Sequence, residues 1–209
     1  MNKFDPVLLK SLHFKQMVEG ASLLLEGLAN ITNNKGVPSF DKTDDNFKKT
    51  PYRIAKSYLE MCIGLSKKEE IQEILDTGFP SNYNGMIIID NVSANSMCPH
   101  HFLPVKYKVD FAYIPSKKML GLSKIPRIIK LLAMQPMLQE DYTQEILKCF
   151  NEYVKPNGAA VIVTGVHTCM QCRGVEVSDS PVITSELLGV FKEQDVKSEF
   201  IELLKLRRH

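Results

Sequence analysis

The chain of 209 residues contains no tryptophan, only 8% aromatic residues and five cysteines, and its charges nearly cancel to a formal net of +2. Each shortage excludes something. So small a net charge gives no global field to draw the chain to nucleic acid or a membrane surface, so an anion site has to be a local cluster. No apolar run approaches the roughly 18 residues of a membrane-spanning helix. Cys62, Cys98, Cys149, Cys169 and Cys172 are too few, and odd in number, for a secreted disulfide framework. The opening "MNKFDPVLLKSLHF" has Asp5 and Pro6 early and no apolar core followed by small residues. Neither a signal nor a transit peptide is expected, and a reducing cytoplasm is the expected setting. Cysteine near histidine then points to a metal ligand or a nucleophile. Repeats and low-complexity segments are also missing.

What is present is ordinary globular composition, 44% hydrophobic and 24% charged. "FKQMVEGASLLLEGLANIT" sets Met17, Val18, Ala21, Leu24, Leu25, Leu28 and Ile31 on one stripe and predicts an amphipathic helix. A polar loop with Gly36 and Pro38 follows. Thr50-Pro51 starts a second helix, with Thr as cap and Pro at the first helical position, and "KKEEIQEIL" makes a short third. The period then changes. "GMIIIDNV" reads as a strand, and "VKYKVDFAYIP" alternates Val105, Tyr107, Val109, Phe111 and Tyr113 against Lys106, Lys108 and Asp110. "SKIPRIIKLLAM" and "EDYTQEILKCFNEYV" read as helices and "AAVIVTGVHTCM" as a buried strand; "TSELLGVFK" and "VKSEFIELLKL" close the chain. The order is helical arm, β, β, α, α, β, α. It predicts an α+β fold, an antiparallel sheet with helices on one face, with residues 1–82 as the arm and helix pair and 83–209 as the core.

Two short motifs combine thiol and imidazole: Cys98-x-x-His101 with His100 beside it, and His167-x-Cys169 with Cys172 three further on. Zinc favours this mixed sulfur and nitrogen donor set, and a catalytic zinc takes three protein ligands and leaves a fourth position to water. Cys98, His101 and Cys169 would supply the three. If the strand runs on through Cys169, His167 leaves on the same face and meets the cavity without binding. If the chain is extended at His100 and His101, the two point apart, so one ligates while the other faces substrate. A closed site with four protein ligands including Cys172, and a pair of neutral cysteines in a strand and a turn, stay open as alternatives.

Taken in order, "KTPYRIAKSYLEMCIGL", "SMCPHHFLPV", "AYIPSKKMLGLSKIPRII", Gln139-Glu140, "HTCMQCRGV" and "TSELLGVF" resemble the motifs of the GTP cyclohydrolase I family over roughly residues 45 to 195. The resemblance implies a T-fold (tunnelling fold) that assembles into a barrel-like homodecamer with active sites at subunit interfaces. It implies hydrolytic opening of the GTP imidazole ring, with loss of C8 as formate and formation of 7,8-dihydroneopterin triphosphate for pterin or folate-type biosynthesis. By the same resemblance, Zn2+ falls on Cys98, His101 and Cys169, and the catalytic histidines are His100 and His167. Guanine recognition falls on Gln139 and Glu140, where a carboxylate can accept from the guanine N1–H and amine together. Triphosphate binding falls on Arg53, Lys56, Ser123, Lys124, Arg127 and Arg173. GTP would be the small-molecule partner, with no nucleic acid and no membrane.

The chain departs from the family pattern at several places. Pro99 stands for a glutamate, Tyr107 for a glycine, Asp110 for a histidine, "MQPML" for an arginine-rich run and Thr164-Gly165 for Glu-Ala. Three alternatives therefore accompany the main reading. One is a paralogue acting on another purine nucleotide or stopping at an early intermediate. Another is a non-catalytic zinc-stabilised binding subunit. The third is a nitrile-reducing T-fold enzyme, which needs a thiol nucleophile and a nicotinamide and is opposed by the paired Cys/His motifs.

Overall fold

The computed structural model describes residues 7–32, 36–37, 40–41, 43–178 and 180–206, apart from the side chains of residues 65 and 66. Asp5, Pro6 and Pro38 lie outside the described residues. The chain divides into two compact units, Met1–Met61 and Cys62–His209.

In the first unit, helix α1 (Leu12–Ala29) starts where Ser11 accepts the Phe14 N–H at 3.1 Å, which satisfies one of the helix's free donors. Helix α2 (Thr50–Cys62) begins at Thr50 itself, whose hydroxyl donates back to the Asn46 carbonyl at 3.3 Å. Phe14 meets Tyr52 edge to face with ring centroids 5.3 Å apart. The apolar stripe of α1 is only partly used, since Leu24 and Leu28 remain 58% and 43% exposed, and Ile31, expected on the same stripe, lies past the helix end at 60%.

The second unit carries α3 (Lys68–Asp76), β1 (Phe79–Pro80), β2 (Ile87–Met97), β3 (Pro104–Ile114), β4 (Lys118–Met119), α4 (Lys124–Ala133), α5 (Gln139–Tyr153), β5 (Gly158–His167), a single turn α6 (Thr168–Gln171), β6 (Val182–Gly189) and α7 (Gln194–Leu206). The main sheet is β2-β3-β5-β6, antiparallel throughout, and β1 pairs with β4 as a separate ribbon. The alternation in β3 does what its period predicts: Val105, Tyr107, Val109, Phe111 and Tyr113 are all buried on one face. Ile125, Ile128 and Ile129 of α4 and Tyr142, Ile146 and Phe150 of α5 pack with them in one core. Phe111 and Phe150 have centroids 4.3 Å apart at its centre. Each such side chain contributes about 1.5–3 kcal/mol by leaving water.

The other face of the sheet carries a smaller cluster of Ala112, Ala160, Phe191, Phe200 and Leu204, through which α7 covers part of that face. Strand β6 is an addition to the expected order. Its sequence mixes Ser, Glu and Leu with no clean alternation, and its structure is set by pairing with β5, from Gly158↔Gly189 to Gly165↔Val182. Asp110 also finds a local reason. β2 shifts register between Ile89 and Val92, where Asn91 takes a φ of 55°, and the Asp110 carboxylate accepts the Asn91 N–H at 2.9 Å.

Candidate active site

The β2–β3 connection is a tight loop. The Cys98 N–H donates to the Leu103 carbonyl and the Phe102 N–H donates to the Cys98 carbonyl, both at 2.9 Å. Phe102 closes the loop at a φ of 51°. Residues 99–101 are therefore a turn and not extended, which is how Cys98 and His101 come together. Pro99 occupies the second position of this turn, where a ring-fixed φ suits the chain and no N–H is needed. His100 and His101 project differently, with ring centroids 6.3 Å apart and planes at 69°, and His100 is exposed.

Cys169 reaches the same point from β5, but not along a strand. β5 ends at His167, and Cys169 lies in α6, so the expected strand alternation does not set its direction. The turn follows from Thr168, whose hydroxyl donates to the Pro104 carbonyl at 2.6 Å and bends the chain over β3. The ligand atoms of Cys98, His101 and Cys169 all lie within 4.8 Å of one another. Cys98 Sγ stands 3.8 Å from both His101 Nδ1 and Cys169 Sγ. Two thiolates bound at about 2.3 Å in tetrahedral geometry would stand about 3.8 Å apart, so the spacing and donor set fit zinc. Among the described residues the metal-capable group holds these three and not Cys172, which is exposed. Burial and the neighbouring Cys98 push the Cys169 thiol up, while Arg173 opposes them.

Beneath the question of ligands lies one of orientation. The Gln139 side chain is buried, and its Nε2 faces three acceptors: the Val163 and Val182 carbonyls at 3.0 Å and Thr184 Oγ1 at 3.2 Å. Only the amide nitrogen suits that position, so Oε1 is the atom 2.9 Å from His167 Nε2. An amide oxygen only accepts, so His167 Nε2 carries a hydrogen and the neutral ring keeps its lone pair on Nδ1. Burial holds the His167 pKa below its ordinary value, with Glu140 pulling the other way, so the neutral base is favoured.

Gly165 makes this arrangement possible, because a Cβ there would overlap Gln139 Oε1 and stand 3.0 Å from Tyr107 Cε1. Tyr107 is its direct cross-strand partner. Two of the departures noted in the sequence, Tyr107 and Gly165, thus face each other across the β3–β5 pair. Sequence reading placed Gln139 at the guanine; the structure spends its amide on His167 and the sheet. Reading the strand register together with the missing Cβ is the signal that could have shown this.

The remaining candidates are placed as follows. Glu140 is exposed in the first turn of α5, within electrostatic reach of His167 and Tyr107. Ser123, Lys124 and Arg127 begin α4, with Ser123 at the cap, and Arg173 follows α6. Arg53 and Lys56 lie on α2 in the first unit, Lys56 with Glu60 at 3.8 Å. That pair is solvent-accessible and therefore weak.

The sequence model of the family described as GTP cyclohydrolase I matches residues 37–205. A protein of Leptospira biflexa named GTP cyclohydrolase 1 is 36% identical over 171 residues, covering 81% of this chain and 92% of that protein. One of the same name from Campylobacter curvus is 37% identical over 166 residues, covering 78% and 86%. A third, from Porphyromonas gingivalis, is 36% identical over 169 residues, covering 80% and 86%.

Proposed function

The chain belongs to the GTP cyclohydrolase I family, and on that premise we propose that it hydrolytically opens the imidazole ring of GTP, releases C8 as formate and forms 7,8-dihydroneopterin triphosphate. The observation that carries this reading is a trio of zinc-type donors with an oriented base two residues from one of them.

Cys98, His101 and Cys169 would hold zinc. When bound, the metal supplies a Lewis acid and a water of lowered pKa for attack at C8. His167 receives a proton at Nδ1 while Gln139 holds the ring through Nε2, and a base so fixed spends no rotational freedom in the reaction. His100, exposed on the turn beside His101, serves as the second proton-moving group. Glu140 accepts from the guanine N1–H and amine, and Gln139 contributes by orienting His167. In the second unit Ser123, Lys124, Arg127 and Arg173 bind the triphosphate, and the family resemblance gives Arg53 and Lys56 of the first unit the same anion-binding role. The exposed apolar stripe of α1 supports a homo-oligomer, a decamer with sites between subunits. No helix among the described residues is long and apolar enough to cross a membrane, and all five cysteines are free, which supports a cytoplasmic setting. A paralogue with altered chemistry or a non-catalytic subunit is not favoured, because relatives named for the full activity match over most of their length.

The test is anaerobic, zinc-loaded protein with GTP, followed for formate and for a pterin that fluoresces after oxidation. Both are expected from the wild type. His167→Ala should keep zinc and GTP binding and release no formate. Zinc-loaded wild type that binds GTP without releasing formate would sink the reading.

A further inference from the structure

Cys172 is the one residue of the two thiol–imidazole motifs that the proposed chemistry leaves unused. It is also the only exposed cysteine of the five. Cys98 is buried and Cys169 half-buried. Burial pushes the Cys62 thiol up and the Cys149 thiol up to about 12, so neither readily forms the reactive thiolate. Helix α6 fixes where Cys172 stands relative to Cys169. The Cys172 N–H donates to the Thr168 carbonyl at 2.9 Å, and Cys172 keeps helical backbone angles, φ −91° and ψ −11°. The two cysteines are therefore three apart on one helical turn, a spacing that brings Cβ atoms to about 5–6 Å. A disulfide needs about 3.5–4.5 Å. α6 is a single turn, followed by Gly174 at a φ of 67°, so closing that difference tightens one turn and breaks no long helix.

Cys169 Sγ also stands 3.8 Å from Cys98 Sγ, but Cys98 is buried, so an oxidant arriving from solvent meets Cys172 first. We propose that Cys169 and Cys172 form a redox switch on the metal site: a hydroperoxide oxidises the exposed Cys172, Cys169 leaves the metal to close a disulfide with it, and zinc is released. The inference rests on Cys169 being a zinc ligand, as in the function proposed above. In the first step the Cys172 sulfur takes the terminal peroxide oxygen and the O–O bond breaks. A sulfenic acid remains, and an alcohol leaves (water, from hydrogen peroxide). In the second step the Cys169 thiolate attacks the Cys172 sulfur and expels hydroxide. The two sulfurs supply the two electrons that reduce the peroxide, and zinc keeps its charge as it leaves. Cys98 and His101 alone are fewer than the three or four protein ligands that hold zinc.

The test treats zinc-loaded wild type and Cys172→Ser with hydrogen peroxide. Zinc release is read with a chromogenic chelator, and the cysteines are read by intact mass and peptide mapping. Wild type should lose its zinc and the mass of two hydrogens, and the peptide carrying Cys169 and Cys172 should hold them as a disulfide. Dithiothreitol with added zinc should restore the metal. Cys172→Ser, altered at an exposed position outside the metal trio, should match wild type in zinc content and formate release before treatment and keep its zinc after it. Zinc retained by treated wild type overturns this proposal. So does equal zinc loss from Cys172→Ser, and so does a disulfide that maps to Cys98 and Cys169. Each of these leaves the function standing. Wild type that takes up no zinc before treatment overturns the metal reading of the function and this inference together.

Discussion

Cys98 Sγ approaches both His101 Nδ1 and Cys169 Sγ at 3.8 Å, through sulfur contacts too long to hold the side chains in place by themselves. Gln139 and His167 are joined to each other and to the sheet by bonds of 2.9–3.2 Å. The first group is a set of donors converging on a point, held by the turn at Cys98–Leu103 and by α6. The second is a closed polar network inside the core. Converging donors can be altered at little cost to the fold, because few native bonds are lost with them. A satisfied buried network cannot, because removing one member leaves the others unpaired in a low-dielectric interior. Ligand chemistry and fold stability should therefore separate in the first group and move together in the second.

The largest effect expected is at the ligands. His101→Ala should abolish zinc binding and reduce formate release to background, while the metal-free protein keeps its stability to within about 0.5 kcal/mol, as for an exposed residue. Metal analysis beside a denaturant melt checks both halves. A His101 variant that is metal-free and also unfolded would erase the contrast.

Gln139→Ala comes next and should strike both properties. It leaves the His167 N–H and two carbonyls without their partner, so kcat should fall about 10–100-fold, as for other residues that orient a catalytic group. Stability should fall by about 1–3 kcal/mol. Gly165→Ala should show a milder form of the same fault, because the new methyl displaces Gln139 Oε1 and crowds Tyr107. Overpacking of this kind costs about 1–3 kcal/mol, and the loss in kcat should not add to that of Gln139→Ala. Additive losses would mean that Gly165 acts on something other than Gln139. Pro99→Glu should have the smallest effect, about 0.4–1 kcal/mol from a freer unfolded chain, with turnover within about twofold. A large gain in turnover would show that a carboxylate at this turn has a chemical role.

The same contrast explains how much of the site was legible in the sequence. Cys98-x-x-His101 and His167-x-Cys169 stand out because thiol and imidazole are scarce and their spacing is local. The β3 alternation and helices α4 and α5 are legible for the same reason, since a period of two or 3.6 is written in adjacent residues. The orienting network is not. Gln139, Gly165 and Tyr107 are distant or unremarkable in sequence and meet only through the register Tyr107↔Gly165 and Val105↔His167. Strand alternation does not relate His167 to Cys169, because the strand ends at His167, two residues short of Cys169, and Thr168 turns the chain there. β6 is absent from the expected order because an edge strand takes its form from its partner, whereas the helix that ends that order is found as α7, and nothing local says which sheet face it covers.

The central claim is that Gln139 fixes His167 with its hydrogen on Nε2 and its lone pair on Nδ1. Neutron diffraction from deuterium-exchanged crystals of the zinc-loaded protein at neutral pH reads this directly. The account predicts deuterium on His167 Nε2 facing Gln139 Oε1, none on Nδ1, and the Gln139 ND2 group facing Val163 and Val182. Deuterium on Nδ1 with Nε2 bare, or the Gln139 amide turned the other way, would contradict it.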